Sequence, residues 1–525
     1  MESPIVDYLR VYGGPAALTL GLIVLLRGIY RLVRVRLLFH HLLAKHPKGS
    51  QQSDAFTVLS YNFPEFDNCF YIDIWPFVQP LLCITSPDLA VQVCQTYALP
   101  KPAVLQNFFQ PFTGGWNIFT TNGPEWKRAR SLFNPAFSAS AVLHHTSQIV
   151  EEAQVYVDIL REHATKGDTF SLDRMTCSYV MDIIGSIAIN KRLKSQREYN
   201  PLAAAMRSVA EWNCQDEELN PFIRWNPLRP IMHWYNGRTM TCYIGDALEE
   251  RYQRWRQNQP SDRHRKSIMD LVIADFMSTR SAKEDRLDPE FKAWATIQVR
   301  TFLFAGHDST AATIVYSIYM LSKHPELLAR VRAEHDQVFG DVSSTAQTLT
   351  QHPELINQLP LTLAVIKETL RLFPAASALR WGQPGVHLQD QNGTKYPTDG
   401  LCIWILHGAI QRNPNYWKDP SAFLPERWLV GPDHPLYPPK GGWRAFEQGP
   451  RDCIGQTLAL LDIKVTLLLV LREFDFQDQY AEWDRLHPSA GPNTVFGERA
   501  YQVPQGASHP AQGMPCRVSQ RQHIG

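Results

Sequence analysis

The chain of 525 residues lacks several patterns that would assign it to common functional classes. It has no Cys-x-x-Cys pair, and its nine cysteines are scattered singly, which favours reduced thiols facing the cytosol over a disulfide framework. It has no P-loop and no Rossmann-type glycine fingerprint, so a nucleotide or flavin domain is not expected within it. The formal net charge is +1 without a concentrated basic face, which argues against a nucleic-acid partner.

The chain also lacks an apolar run of full membrane-spanning length. The uncharged run at 11–26 falls short of the roughly 20 residues that cross a bilayer, but extension to Tyr30, with Arg27 snorkelling, closes the gap. Acidic residues precede the run and arginines follow it, the reverse of a secretory signal peptide. A buried amphipathic helix is the alternative interpretation.

The charge pattern around this run predicts the orientation of the whole chain. Arginines after the run place the following residues in the cytosol and the N-terminus in the lumen of the endoplasmic reticulum. We therefore expect a lumenal N-terminus, one transmembrane anchor, a basic hinge and a large cytosolic domain, at residues 1–10, 11–30, 31–50 and 51–525.

The stretch 446–455 has the residue types needed to hold one cysteine thiolate against a metal. Gly449 can take positive φ, which lets the chain turn tightly before the cysteine. Gly455 leaves room for a flat, bulky ligand. Residues from Gln456 onward have a helical pattern, so Cys453 should lie near a helix N-terminus, whose dipole and free N–H groups stabilise a thiolate. An inert buried cysteine is the alternative reading.

Two further residues of the stretch fit the same purpose. Arg451 supplies a fixed positive charge suited to a carboxylate of the same ligand, and Phe446 is expected to cover the sulfur. The whole pattern, Phe-x-x-Gly-x-Arg-x-Cys-x-Gly, resembles the ligand loop of the cytochrome P-450 haem-thiolate monooxygenases at every fixed position. The resemblance implies haem b with Cys453 as its axial iron ligand. It also implies one mainly α-helical domain with a small β-rich lobe, the cytochrome P-450 fold, after the anchor.

A long helical pattern at 291–323 contains the run Ala-Gly-His-Asp-Ser-Thr at 305–310. Glycine and hydroxyl residues weaken a helix locally and permit a kink. The run resembles the family's Ala-Gly-x-Asp/Glu-Thr, which implies Asp308 as the acid, Ser309 in the alcohol position and Thr310 beside it, relaying protons to dioxygen. Because serine lacks the methyl group that fixes the threonine rotamer, we expect less tightly coupled proton delivery.

Three other residues resemble positions that contact haem propionates in the family. Trp126 and Arg130 are four apart, hence on one helix face, as in the family's Trp-x-x-x-Arg. Arg380 matches the arginine that pairs with a propionate.

Glu368 and Arg371 are three apart on another helical segment, and Arg427 follows in Pro-Glu-Arg-Trp. The resemblance implies that these three residues form a buried, fold-holding triad, which must be fully hydrogen-bonded to be tolerable.

The resemblance implies insertion of one oxygen atom into a hydrophobic small molecule. An aromatic-rich segment at 105–119, expected as a loop, would contact it. Electrons would come from a separate NADPH-cytochrome reductase, with cytochrome b5 as a further partner, docking near Lys127, Arg128 and Lys440. The sequence is similar to filamentous-fungal enzymes of secondary metabolism, of the sterigmatocystin and aflatoxin type.

Three other functions are left open by the residues. A haem-thiolate isomerase or dehydratase typically lacks the acid–alcohol pair. A non-catalytic haem- or steroid-binding membrane protein would not need the oxygen groove. A cysteine hydrolase needs a histidine base oriented on Cys453, and none is nearby in sequence.

Overall fold

The computed structural model describes residues 68–72, 80–213, 226–257, 267–279, 285–488 and 493–521, with a few isolated positions before residue 61. The predicted anchor and hinge lie almost wholly outside the described residues. Within the described part of the chain, no helix combines the length and the apolar character that a bilayer crossing requires.

Helices make up most of the described chain, which confirms the mainly α prediction. In chain order they are α1 (Pro87–Val91), α2 (Val104–Thr113), α3 (Gly123–Phe133), α4 (Ala139–Leu143), α5 (Thr146–Lys166), α6 (Leu172–Ile189), α7 (Pro201–Trp212), α8 (Leu228–Arg256), α9 (Ile268–Thr279), α10 (Pro289–Lys323), α11 (Pro325–Phe339), α12 (Thr345–Gln351), α13 (Pro360–Leu372), α14 (His407–Arg412), α15 (Gln456–Leu471) and α16 (Tyr480–Leu486).

The strands form small sheets, as predicted for a β-rich lobe. They are β1 (Cys69–Ile72), β2 (Leu81–Ile84), β3 (Phe170–Ser171), β4 (Ala378–Trp381), β5 (His387–Gln389), β6 (Lys395–Pro397), β7 (Cys402–Ile405), β8 (Phe474–Asp478), β9 (Gln502–Gln505), β10 (Ala507–Pro510) and β11 (Pro515–Gln520). The largest sheet has the order β1-β2-β7-β4, with β2 and β7 parallel and Leu82 opposite Ile403. The other sheets are β3-β11-β8, β9-β10 and β5-β6.

Helix α10 runs through the centre of the core. Asp288 caps its first turn by accepting a hydrogen bond from the Phe291 N–H at 2.8 Å, and Pro289 occupies the first helical position. The glycine and hydroxyl residues at 305–310 do not end the helix, which continues to Lys323. Gly306 instead permits close packing: a Cβ there would lie 2.8 Å from the Ile184 side chain on α6.

The predicted aromatic loop is largely a helix. Residues 104–113 form α2, with Pro111 inside it, and only the remainder is irregular. Its aromatic rings reach the central helix: the ring of Phe304 lies 4.2 Å from that of Phe112 and 5.8 Å from that of Phe109, centroid to centroid. Packing against Phe304 on α10 gives this segment an apolar face, which explains why it is helical.

Glu368, Arg371 and Arg427 are fully buried and in contact. The Arg371 guanidinium donates to both oxygens of Glu368, at 2.9 and 2.8 Å, and Arg427 Nε donates to Glu368 Oε1 at 3.2 Å. Trp428 Nε1 and the Leu424 N–H complete the shell around the same carboxylate. The structure therefore brings together the three residues that the sequence predicts as a triad. Their contacts join α13 to the segment that leads to the cysteine.

Candidate functional site

The loop before Cys453 is a tight double turn. Gly449 has φ of 92°, and a Cβ there would lie 2.6 Å from the carbonyl oxygen of Cys94, so no side chain fits. Glu447 also has positive φ, at 57°. The Cys453 N–H donates to the Phe446 carbonyl at 2.8 Å, which closes the loop. The turn delivers Cys453 to the first residues of α15, which begins at Gln456 as the sequence predicts.

The surroundings of Cys453 act on its thiol in two opposite directions. The residue is solvent-accessible, yet burial among protein atoms raises the pKa of its thiol. The N–H groups of Gly455 and Gln456 and the Arg130 guanidinium act in the opposite direction. Helix α15 thus offers donors for a thiolate, but the burial penalty prevails until a cation binds the sulfur.

Ala305, midway along α10, is also exposed although its neighbours Phe304, His307 and Asp308 are buried. This position on an otherwise buried stretch of the helix is therefore open to a ligand.

Four cationic side chains form a group beside the cysteine loop: Lys101, Arg130, Arg380 and Arg451. Burial, together with the guanidinium groups of Arg380 and Arg451, holds the pKa of Lys101 well below its usual range. Burial and the charges of Arg380 and Arg130 lower the pKa of Arg451 to about 9. These residues repel one another in a poorly solvated place, so the site favours an anionic ligand.

Arg380 is the clearest sign of a missing anion. It is 1% exposed, and its Nη1 donates to the Leu379 carbonyl at 2.9 Å. Its Nε and Nη2 atoms have no hydrogen-bond partner among the described residues. Because an unsatisfied buried guanidinium is costly, these two donors are expected to serve a bound carboxylate.

The other predicted contacts to the ligand have protein partners. Arg130 donates to the carbonyl and carboxylate oxygens of Asp452, both at 2.7 Å. Arg451 lies over the Trp126 ring at 4.5 Å and donates to the carbonyls of Thr121 and Phe119. The structure therefore places Trp126, Arg130 and Arg451 beside the cysteine loop, with Arg130 and Arg451 joined to the backbone rather than free.

The carboxylate of Glu447, which lies near the cationic group, already has other partners. Although burial would raise it, the pKa of Glu447 is held well below its usual range by His407, Arg444 and Arg380. Its carboxylate is bound by Arg444 and lies 3.4 Å from His407 Nε2. It cannot neutralise the whole cationic group as well.

The acid and the alcohol predicted on α10 face different surroundings. Both oxygens of the Asp308 carboxylate are occupied, Oδ2 by the Ala507 N–H and Oδ1 by His509 Nε2 at 3.0 Å. Ser309 is partly exposed and donates to the Ala305 carbonyl at 3.0 Å, while Thr310 is buried. Within the described part of the chain, no hydrogen bond joins Asp308 to Ser309.

Sequence reasoning missed Lys101 and His509. Lys101 stands in a short Pro-Lys-Pro segment with no motif around it, and His509 lies in the C-terminal tail, 201 residues from the aspartate that it contacts. A histidine oriented on Cys453 was the requirement for a hydrolase. Among the described residues, no histidine forms a hydrogen bond with its sulfur.

The comparison with known proteins agrees with this geometry. The family model described as cytochrome P-450 matches residues 35–503. Cytochrome P-450 monooxygenase polC of Polytolypa hystricis is 42% identical over 461 residues, 87% of this chain and 82% of that protein. Monooxygenase acrF of Aspergillus aculeatus is 31% identical over 504 residues, 91% and 99% of the two chains.

Solved structures show the same fold. The haem domain of cytochrome P450DA superposes with a TM-score of 0.69 at 22% identity, over 91% of this chain and 96% of that one. The family model spans most of the sequence, and polC covers most of both chains at substantial identity. On that basis the chain belongs to the cytochrome P-450 family of haem b monooxygenases.

Proposed function

We propose that the chain is a membrane-anchored haem-thiolate monooxygenase that oxidises a hydrophobic small molecule in fungal secondary metabolism. The observation that carries the proposal is the pairing of an exposed cysteine, Cys453, just before α15 with buried guanidinium donors on Arg380 that have no partner among the described residues. Haem b, when bound, supplies the iron that activates dioxygen for insertion of one oxygen atom, the other leaving as water.

Cys453 is the proposed axial ligand. Its sulfur needs a cation to become a thiolate, and N–H groups of Gly455 and Gln456 are already directed at it. Gly455 is proposed to let the backbone pass close to the flat ligand; a Cβ at this position would lie 3.9 Å from the sulfur, an ordinary contact distance. Phe446 is proposed to shield the same face; its carbonyl fixes the Cys453 backbone.

The cationic group is the proposed binding site for the two haem propionates. Arg380 and Lys101 would meet them directly, since neither has a carboxylate partner of its own in the described structure. Trp126, Arg130 and Arg451 line the same side. Two negative charges would offset much of the repulsion among the four cations.

Asp308, Ser309 and Thr310 are the proposed proton-delivery residues. Ser309 is the member closest to the accessible side of α10, beside Ala305. Its Oγ could leave the Ala305 carbonyl at little cost and donate to a ligand beside α10, since that bond is an ordinary i to i−4 contact. Asp308 must release a partner before it can act.

The substrate is proposed to be apolar and to lie against α2. Phe109, Phe119 and Phe304 form a chain of edge and tilted ring contacts at centroid distances of 4.9 and 5.8 Å. Such a wall favours an aromatic or terpenoid molecule over a charged one. The fungal monooxygenases polC and acrF support a role in fungal metabolism.

Electrons are proposed to come from a membrane-bound NADPH-cytochrome reductase, with cytochrome b5 as a second donor. Lys127 and Arg128 are exposed on α3, the helix whose Arg130 contacts Asp452 beside Cys453, and Lys440 is exposed as well. These cations form a basic surface on the cysteine side that would attract an acidic flavoprotein. Residues 11–30 are the proposed anchor in the endoplasmic reticulum.

Replacing Arg380 with glutamine should weaken haem binding and should also reduce the charge repulsion among the buried cations of the apoprotein. Loss of a charge-assisted hydrogen bond of about 1.5–3 kcal/mol predicts haem transfer to apomyoglobin that is faster by about tenfold or more. The apoprotein should melt at the same temperature or higher, because one repelling cation is gone. Arg485→Gln, at a 75% exposed side chain, is the control. Unchanged haem transfer would contradict the propionate assignment.

The anchor predicts which end of the chain reaches the lumen. An N-terminal extension carrying a glycosylation acceptor should be glycosylated in a fungal host, and the same acceptor after residue 525 should not, because only lumenal sites meet the transferase. Gel mobility with and without glycosidase measures both. Glycosylation of the C-terminal acceptor alone would show that the orientation is the opposite of the proposed one. Glycosylation of neither acceptor would contradict the proposed anchor.

The reaction itself is tested by metabolite masses. The chain is expressed with a fungal reductase in a strain that makes polyketide and terpenoid intermediates, and Cys453→Ala is the control. A compound heavier by one oxygen atom, absent from the control, is the expected result, and loss of two hydrogens would indicate desaturation or ring coupling. Product without NADPH consumption would favour the isomerase alternative. If the two strains match on every intermediate, the proposed substrate class is wrong.

A further inference from the structure

His509 on β10 lies between two carboxylates in the core. It is 1% exposed, its Nδ1 is 2.8 Å from Asp173 Oδ1, and its Nε2 is 3.0 Å from Asp308 Oδ1. A carboxylate only accepts hydrogen bonds, so an imidazole that satisfies both must donate from both nitrogens. The arrangement therefore holds three acid–base groups in one line, from α6 through β10 to α10.

The C-terminal hairpin is shaped to receive Asp308. Gly506, at the turn between β9 and β10, has φ of 108°, and a Cβ there would lie 2.5 Å from Asp308 Oδ2. The next residue, Ala507, donates its N–H to that oxygen. A residue other than glycine at position 506 would displace the Asp308 carboxylate. The contact between the hairpin and Asp308 therefore requires this glycine as well as the Ala507 N–H.

Charges around His509 favour its protonated form. Although burial would lower it, Asp173 and Asp308 hold the pKa of His509 well above its usual range. His307 stays neutral at physiological pH, because burial lowers its pKa and its Nδ1 faces the Leu303 carbonyl. Burial and Asp173 raise the pKa of the Cys177 thiol to about 11. The remaining titratable groups coupled to Asp173 or Cys177 are the phenols of Tyr156 and Tyr480.

A metal site is the competing interpretation. Asp173, Cys177 and His509 offer ligand atoms within 4.8 Å of one another. Two ligands of a tetrahedral zinc ion, each at about 2.0–2.1 Å, lie roughly 3.3 Å apart. The 2.8 Å between His509 Nδ1 and Asp173 Oδ1 suits a shared proton instead.

We propose that His509, held by Asp173, is the positioning and proton-supplying partner of Asp308 in the oxygen chemistry of this enzyme. This rests on the proposed role of Asp308. In each transfer, the Nε2–H bond of the His509 imidazolium breaks and an O–H bond forms at Asp308 Oδ1, which leaves a neutral imidazole whose Nδ1–H stays on Asp173. The total charge of the three groups is unchanged, and a proton from solvent restores the imidazolium before the next transfer. The protonated Asp308 is then free to leave its contacts with the hairpin.

The first test measures protonation without catalysis. A histidine whose folded pKa is raised contributes stability that is full below the unfolded pKa of about 6.5 and fades as pH rises through the folded value. The melting temperature of the full chain should exceed that of His509→Gln most at pH 6, with the gap narrowing toward pH 9. His335→Gln, at another buried histidine whose partner is Thr362, should show no such narrowing.

The second test uses NADPH and dioxygen with a fungal reductase, where reduction of dioxygen to peroxide or water consumes protons. His509→Gln and Asp308→Asn should each slow NADPH oxidation by about tenfold or more and steepen its dependence on pH. The double variant should be no slower than either single one. If His509→Gln does not fold, Asp173→Asn removes one of the two charges that favour the imidazolium while keeping the His509–Asp308 contact, and it should slow NADPH oxidation in the same way.

Four other outcomes would contradict the proposal, each for a different reason. If the difference in melting temperature between the full chain and His509→Gln does not change with pH, His509 is neutral. Stoichiometric zinc that disappears in His509→Gln means a metal site. Slow turnover in Asp308→Asn but not in His509→Gln leaves His509 a structural residue only. Normal turnover in Asp308→Asn removes the proposed acid itself, while the haem-thiolate function is judged separately through Cys453.

Discussion

Positive charge buried without matching negative charge is the constraint on which the site depends. Burial and neighbouring guanidinium groups lower the pKa values of Lys101 and Arg451, and Arg380 keeps two donors unsatisfied among the described residues. A folded chain tolerates this only if a ligand compensates, since an unpaired buried ion costs several kcal/mol. Ligand binding and folding are therefore coupled: whatever supplies the anions also stabilises the domain.

The sulfur of Cys453 requires a cation, just as the buried cations require anions. Burial favours the thiol, and the N-terminal N–H groups of α15 are insufficient alone to reverse this. A single flat molecule that carries a metal cation at its centre and carboxylates at its edge satisfies both sides at once. Haem b is such a molecule, and the family uses it. The Glu368–Arg371–Arg427 network holds the segment that leads into the cysteine loop.

The sequence predicted local features best. The turn at Gly449, the helix start at Gln456 and the contact of Glu368 with Arg371 follow from neighbours in the chain or from a complete motif. Features that depend on distant packing were missed or wrong. The packing role of Gly306 was missed because the approach of Ile184 on another helix is invisible in sequence.

The partners of Asp308 show the same limit. No local pattern indicates that a turn glycine, a backbone N–H and a histidine from the C-terminal hairpin occupy both of its oxygens. That contact makes the last strands part of the site. The segment at 104–113 was expected as a loop because its aromatic residues obscured a helical face directed at Phe304.

Ligation of haem iron by the Cys453 thiolate can be measured in the carbon monoxide difference spectrum of the reduced full-length protein. The wild type and Cys94→Ser, a control at a buried cysteine, should both show the strongly red-shifted Soret band of thiolate ligation. Cys453→Ser should lose that band even where haem is retained. A red-shifted band that persists in Cys453→Ser would mean that Cys453 is not the axial ligand.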